Sequence, residues 1–146
     1  MEQATADGIV VIAYDETHNQ LQADRFYSDV ASVRIAFMRV MQFTIEGDAI
    51  ITDYQYDGDM FIVTHDSTRD RFSAIEDRRI TTLTFKYLVP FNRPQSDSTP
   101  STASDAPAVF YLSNEENIYT TNPDGRMMLI EDLWWIPPPS DSYVTE

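Results

Sequence analysis

Thr44-Ile45-Glu46-Gly47-Asp48-Ala49-Ile50-Ile51-Thr52-Asp53-Tyr54-Gln55-Tyr56-Asp57-Gly58 is the stretch that decides the fold of this chain. Two acidic glycine turns, Glu46-Gly47-Asp48 and Asp57-Gly58-Asp59, bound a β-rich run in which Ile50, Thr52, Tyr54 and Tyr56 share one face. Glycine reaches positive φ without a steric penalty, and Asp-Gly between alternating residues is a strong hairpin signal. The spacing predicts a strand from Ala49 to Tyr56 and a return strand from Met60 to His65.

Upstream, Val33 to Ile45 is rich in β-branched and aromatic residues. Val33, Ile35 and Phe37 alternate with Arg34, Ala36 and Met38, which is strand periodicity. The run is long for one strand, so a bend or bulge is expected near Arg39. Leu21, Ala23, Phe26, Tyr27, Val30 and Ala31 fall near a helical period, with Asn19 or Thr17 available as a cap. Gly8 to Tyr14 reads as a short buried strand or an extended lead-in, and residues 15–19 read as a polar turn.

Downstream, the charged stretch Asp66 to Arg79 reads as a loop with a helical turn, and Ile80 to Val89 as a strand ended by Pro90. Residues 92–107 are Pro-, Ser- and Thr-rich, the composition of a flexible loop. Ala108 to Leu112 resumes as a strand, and Asn122-Pro123-Asp124-Gly125 is a turn. Met127 to Ile136 reads as a strand or a short amphipathic helix, stopped by Pro137-Pro138-Pro139. One helix followed by hairpin-linked strands predicts a single α+β domain over residues 1–146. An N-terminal helix packs on an antiparallel meander of about five to six strands.

Composition narrows the function. Hydrophobic content of 42% over 146 residues supports a folded core. The formal net charge of −14 disfavours nucleic acid and anionic lipid, and is compatible with a basic protein partner or with solubility alone. The absence of cysteine excludes disulfides, thiolate metal sites and cysteine nucleophiles. No apolar run is long enough for a membrane-spanning helix.

The phrases Phe26 to Val30, Val33-Arg34-Ile35, Thr44 to Ile50, Asp53 to Gly58 and Thr64 to Phe72 resemble a bacterial family of domains of unknown function. That family occurs in Bacillus- and Paenibacillus-type lipoproteins. Ala49 stands where the family has proline, and His65 where it usually has an aromatic residue. The resemblance implies a small exported domain tethered to a membrane, with no activity attached. A cytoplasmic chain is the other reading of a sequence that shows no leader.

No residues form a catalytic constellation. The sequence has neither a Gly-x-Ser-x-Gly phrase nor a glycine-rich phosphate loop. His18 and His65 lack metal-ligand spacing. Asp53-x-Gln55-x-Asp57-Gly58-Asp59 imitates half a calcium loop, but Thr64 occupies the twelfth position, where a bidentate carboxylate is required. The carboxylate pairs Asp15/Glu16, Asp57/Asp59, Glu115/Glu116 and Glu131/Asp132 read as solvated. Arg69, Arg71, Arg78 and Arg79 are interleaved with four acids, which predicts internal ion pairing. No catalytic residue, metal site or cofactor is therefore expected. Tyr54, Tyr56, Trp134 and Trp135 are the candidate partner-binding residues, because exposed Tyr and Trp are typical of binding surfaces.

The reading that follows is a non-enzymatic extracytoplasmic binding or accessory domain. The alternative is an acidic inhibitor or immunity-type protein that covers a basic partner surface.

Overall fold

A computed structural model describes residues 3–4, 7–14, 16–91 and 109–140. A hairpin of β1 (Val10–Ala13) and β2 (Glu16–His18) precedes α1 (Gln20–Ala31). Four strands follow: β3 (Ala36–Phe43), β4 (Ala49–Tyr56), β5 (Phe61–Asp66) and β6 (Ile80–Phe85). Together they form a six-stranded sheet in the order β2-β1-β3-β4-β5-β6. The helix is thus not N-terminal, since two strands precede it. Nor is the sheet a pure meander, since β1 pairs parallel with β3 while the other pairs are antiparallel. Parallel neighbours need a crossover, and α1 supplies it.

The predicted turns hold. Asp57 Oδ1 accepts hydrogen bonds from the Asp59 and Met60 amides at 2.9 and 2.8 Å, and Gly58 takes φ 103°. At the other turn, Thr44 N–H donates to Asp48 O and Asp48 N–H to Thr44 Oγ1.

The long run before β4 differs from expectation. No bulge interrupts β3, which pairs residue for residue from Ala36↔Tyr56 to Phe43↔Ala49. Its length reads as excessive because its first residues belong to the end of α1. Arg34 N–H donates to Asp29 O and Val33 N–H to Val30 O, with Val33 left-handed at φ 54°. This is a Schellman stop, at which glycine is the usual residue. The strand then buries Ala36, Met38 and Val40 and turns Ile35 and Phe37 outward.

At the helix start, Asn19 is left-handed and makes no side-chain cap. Its amide instead donates to Ile9 O at 3.2 Å, which ties α1 to the approach to β1. Residues 16–18, read as a turn, form an edge strand, whose polar character suits an edge. The 3₁₀ turn Ile75–Asp77 is the helical turn expected in the charged loop.

Ile80 to Val89 is two strands. The break falls at Lys86, whose amide donates to Ser113 O and to Asn114 Oδ1. Beyond it, β7 (Tyr87–Phe91) leaves the large sheet and pairs with β8 (Val109–Ser113). β8 pairs in turn with β11 (Trp134–Ile136), giving the order β11-β8-β7. Pro90 lies within β7 rather than after it, on an edge strand where a missing N–H is tolerated. Between β8 and β11, β9 (Tyr119–Thr121) and β10 (Met127–Leu129) form a hairpin across the predicted Asn122–Gly125 turn. Met127 to Ile136 is therefore two short strands, separated near Asp132, which is left-handed at φ 61°. The flexible loop expected at 92–107 lies outside the described residues.

Helix α1 and the small sheet cover the same face of the large sheet. Phe26 and Tyr27 of α1, Met38 and Val40 of β3, Tyr54 of β4 and Val63 of β5 join Phe110, Leu112 and Ile136 in one buried cluster. Three polar anchors hold the C-terminal segment there. Tyr27 OH donates to Pro137 O at 2.9 Å, Tyr54 OH donates to Trp135 O at 3.2 Å, and Asp24 accepts from Ser140 N–H and Oγ at 2.7 and 2.6 Å.

Candidate functional site

The four aromatic residues singled out by sequence do not form a surface. Tyr54 and Tyr56 point inward from β4 and are buried. Their burial follows from the alternation that put them on one face with Thr52, since that is the face α1 and the small sheet cover. Trp134 is half-buried, and its indole N–H donates to Tyr54 OH at 3.2 Å. Only Trp135, at 40% exposure, keeps a ring open to solvent. Tyr54 is a hub that accepts from Trp134 and donates to Trp135 O. Burial, partly offset by the Trp134 bond, pushes its hydroxyl pKa up to about 12.

His65 lies beside that hub. Its Nδ1 is 2.9 Å from Thr52 Oγ1, and its ring meets Trp134 edge-on at 5.2 Å. Burial lowers its pKa, against the opposing pull of Asp66. The two histidines do not meet: His18 faces Glu16 at 3.4 Å on the edge strand β2. Among the described residues no cluster of His and carboxylates could hold a metal ion.

The charged loop forms one ion pair of the kind its interleaving predicts, and its other arginine contacts go elsewhere. Arg69 pairs with Asp66 at 2.7 Å. Hydrogen bonds from Thr68 first, and then from Arg69, lower the Asp66 pKa to about 2. Arg71 reaches back to the first glycine turn, where Asp48 is buried and accepts from Arg71 N–H and Nε at 2.9 Å each. Arg78 donates to the Ser73 and Arg71 carbonyls. The second glycine turn is self-satisfied too, since amide donors from Met60 and Asp59 lower the Asp57 pKa. Neither turn offers free carboxylate ligands in a ring, and Glu131 and Asp132 are exposed.

The residues that sequence reasoning missed lie on the opposite face. Val33, Ile35 and Phe37 are 66%, 81% and 56% exposed at alternate positions. They lead onto the uncovered side of the large sheet. There Phe37 is in register with Gln55, which pairs with Ile62, while Met41 pairs with Ile51. Ile80, on the same side of β6, is 61% exposed. At the centre, Arg39 grips Asp53 with two parallel hydrogen bonds of 2.6 and 2.7 Å, and its guanidinium lies 6.0 Å from the Phe37 ring centroid. The alternation in the sequence was visible, but it does not say which side is covered. That depends on where α1 and β7–β8–β11 pack.

Among the described residues these features define a small α+β domain in which α1 and the small sheet cover one face of the large sheet and leave the other open. The chain belongs to the DUF4362 family, a domain of unknown function, which matches residues 6–96. No curated protein and no solved structure matches it. The family match closes near the end of the large sheet, so β8 to β11 lie beyond it while Phe110, Leu112 and Ile136 complete its core. No helix among the described residues is long and apolar enough to cross a membrane.

Proposed function

We propose that this chain is a non-enzymatic binding or accessory domain that works outside the cytoplasm and docks a protein partner on the open face of its large sheet. The observation that carries the reading is the exposed run Val33, Ile35 and Phe37. Valine in a left-handed conformation is strained, and stability would favour glycine at that position. Exposed apolar residues there, next to a sheet face with no covering layer among the described residues, are what a docking surface needs. The resemblance to lipoprotein domains supports the extracytoplasmic placement. The net charge of −14 makes a partner with a basic rim the complementary one, and makes nucleic acid a poor one.

The same charge favours a second reading, an acidic inhibitor or immunity-type protein that covers the basic working surface of its target. Both readings use the same face and differ in whether the partner loses activity.

Photo-crosslinking in the native host tests the proposal. A crosslinker at position 37 should give a discrete adduct that fades as salt is raised, while one at exposed Glu115, away from this face, should not. Equal labelling from both positions overturns it. Cell fractionation of the full-length gene product tests the placement, and recovery solely in the cytoplasm contradicts it.

A further inference from the structure

Where the chain crosses from the large sheet to the small one, the two layers leave a cleft of about 450 Å³ between the C-terminal end of α1, the β4–β5 hairpin and β7–β8. Its walls are aromatic. Tyr27 and Phe110 pack with centroids 5.0 Å apart, Tyr56 and Phe61 with centroids 4.7 Å apart, and Leu88 adds apolar surface. Volumes of this order are typical of small-molecule sites, and the cleft has about three times the ~150 Å³ that accommodates a benzene ring.

Among the described residues one charged residue lines it, Lys86, the single lysine of the sequence. Lys86 is exposed, and its ammonium has no ion-pair partner among the described residues. Among the described residues no Asp or Glu lines the cleft, although the sequence has 24 of them against 10 Lys and Arg. Arg69, Arg71 and Arg78 of the charged loop, by contrast, are spent on carboxylates and carbonyls. The helix end beside the cleft does not cancel the lysine outright, because its Ser28, Asp29 and Val30 carbonyls are already occupied by the Schellman amides.

From this juxtaposition we infer that the cleft binds a small amphipathic anion. Its acyl or aryl body lies against Tyr27, Tyr56, Phe61 and Phe110, and its carboxylate-type head meets Lys86. An apolar body gains by leaving water, and the exposed Lys86 ammonium selects the sign of the head group. The site lies between the layers, away from the open sheet face, and stands or falls separately from the docking proposal.

Amide NMR titrations of the whole chain with decanoate, 1-naphthoate and decanol test it, with decanoate kept below its micellar concentration. The two carboxylates distinguish a flexible chain from a flat ring as the preferred body. Saturable shifts centred on Val30, Lys86 and Leu88 are expected with at least one of them. Lys86→Gln should weaken that carboxylate about fivefold, the upper end for an exposed ion pair, and leave decanol unchanged. Ala31→Trp fills the cleft from an exposed helix position and should abolish binding. Absence of localised shifts with both carboxylates overturns the inference, and so does carboxylate binding that Lys86→Gln leaves unchanged. The wild-type titration stands even if a variant fails to fold.

Discussion

Replacing Tyr54 by Phe removes one oxygen atom from the core and should cost more than its size suggests. The hydroxyl accepts from Trp134 Nε1 and donates to Trp135 O, both at 3.2 Å. The substitution leaves an indole N–H and a backbone carbonyl without their partner in a part-buried setting. Each lost hydrogen bond is worth about 1 kcal/mol net, and stranding its partner adds to that, so a loss of about 2–3 kcal/mol is expected. With a urea dependence of about 2 kcal/mol/M, the midpoint should fall by about 1–1.5 M. The assay is urea unfolding followed by tryptophan emission. Both tryptophans of the sequence, Trp134 and Trp135, lie in β11, so emission reports on this segment alone. Tyr56→Phe is the control. It is equally a β4 tyrosine but has no hydroxyl hydrogen bond among the described residues, so its midpoint should move by less than about 0.5 kcal/mol equivalent. Equal shifts from the two variants would refute the hub at Tyr54.

Other perturbations have expected signs. Val33→Gly should stabilise the fold by about 1 kcal/mol in thermal or urea unfolding, because glycine relieves the left-handed strain at the α1 stop. The same variant should weaken partner capture if the exposed run is the docking surface. Asp48→Ala strands the Arg71 amide and should cost about 2 kcal/mol, whereas Asp59→Ala, at the exposed second turn, should cost little. His65 has its pKa lowered in the folded state, so the unfolded chain binds its proton first as pH falls. Its contribution to stability is complete above its unfolded pKa, near 6.5, and declines as pH drops toward the folded value. His65→Gln should flatten that part of the stability–pH profile, and an unchanged profile would contradict the assignment.

How far the sequence could be read depends on the range of the interaction involved. Asp57-Gly58 and Glu46-Gly47-Asp48 set their own geometry through glycine φ and local carboxylate or hydroxyl bonds, so both turns and the strand between them were legible. Helix α1 was legible from its period, and Asn19 does stand at its N-cap, but its side chain serves the Ile9 carbonyl of another element rather than a helix amide. The division of Ile80–Val89 at Lys86 could not be seen from alternation. It depends on Ser113 and Asn114, far along the chain. The parallel pairing of β1 with β3 is a tertiary choice of the same kind. Tyr54, Tyr56 and Trp134 were attractive as surface aromatics for the chemistry that makes them good core: a large apolar body with a polar tip that needs a partner. Val33, Ile35 and Phe37 read as one face of a strand, and alternation does not say which face is buried. The Schellman stop and the packing of Ala36, Met38 and Val40 put them outside.

The central claim is that the strands beyond the family match complete the core of the large sheet. Urea unfolding of the intact chain, followed together by tryptophan emission and far-ultraviolet circular dichroism, tests it most directly. Emission reads β11, and dichroism reads α1 and the large sheet. Because Phe110, Leu112 and Ile136 share one buried cluster with Phe26, Met38 and Tyr54, the two curves should superimpose with one midpoint. A tryptophan transition at clearly lower urea, with the dichroism of the helix and large sheet intact, would contradict the claim.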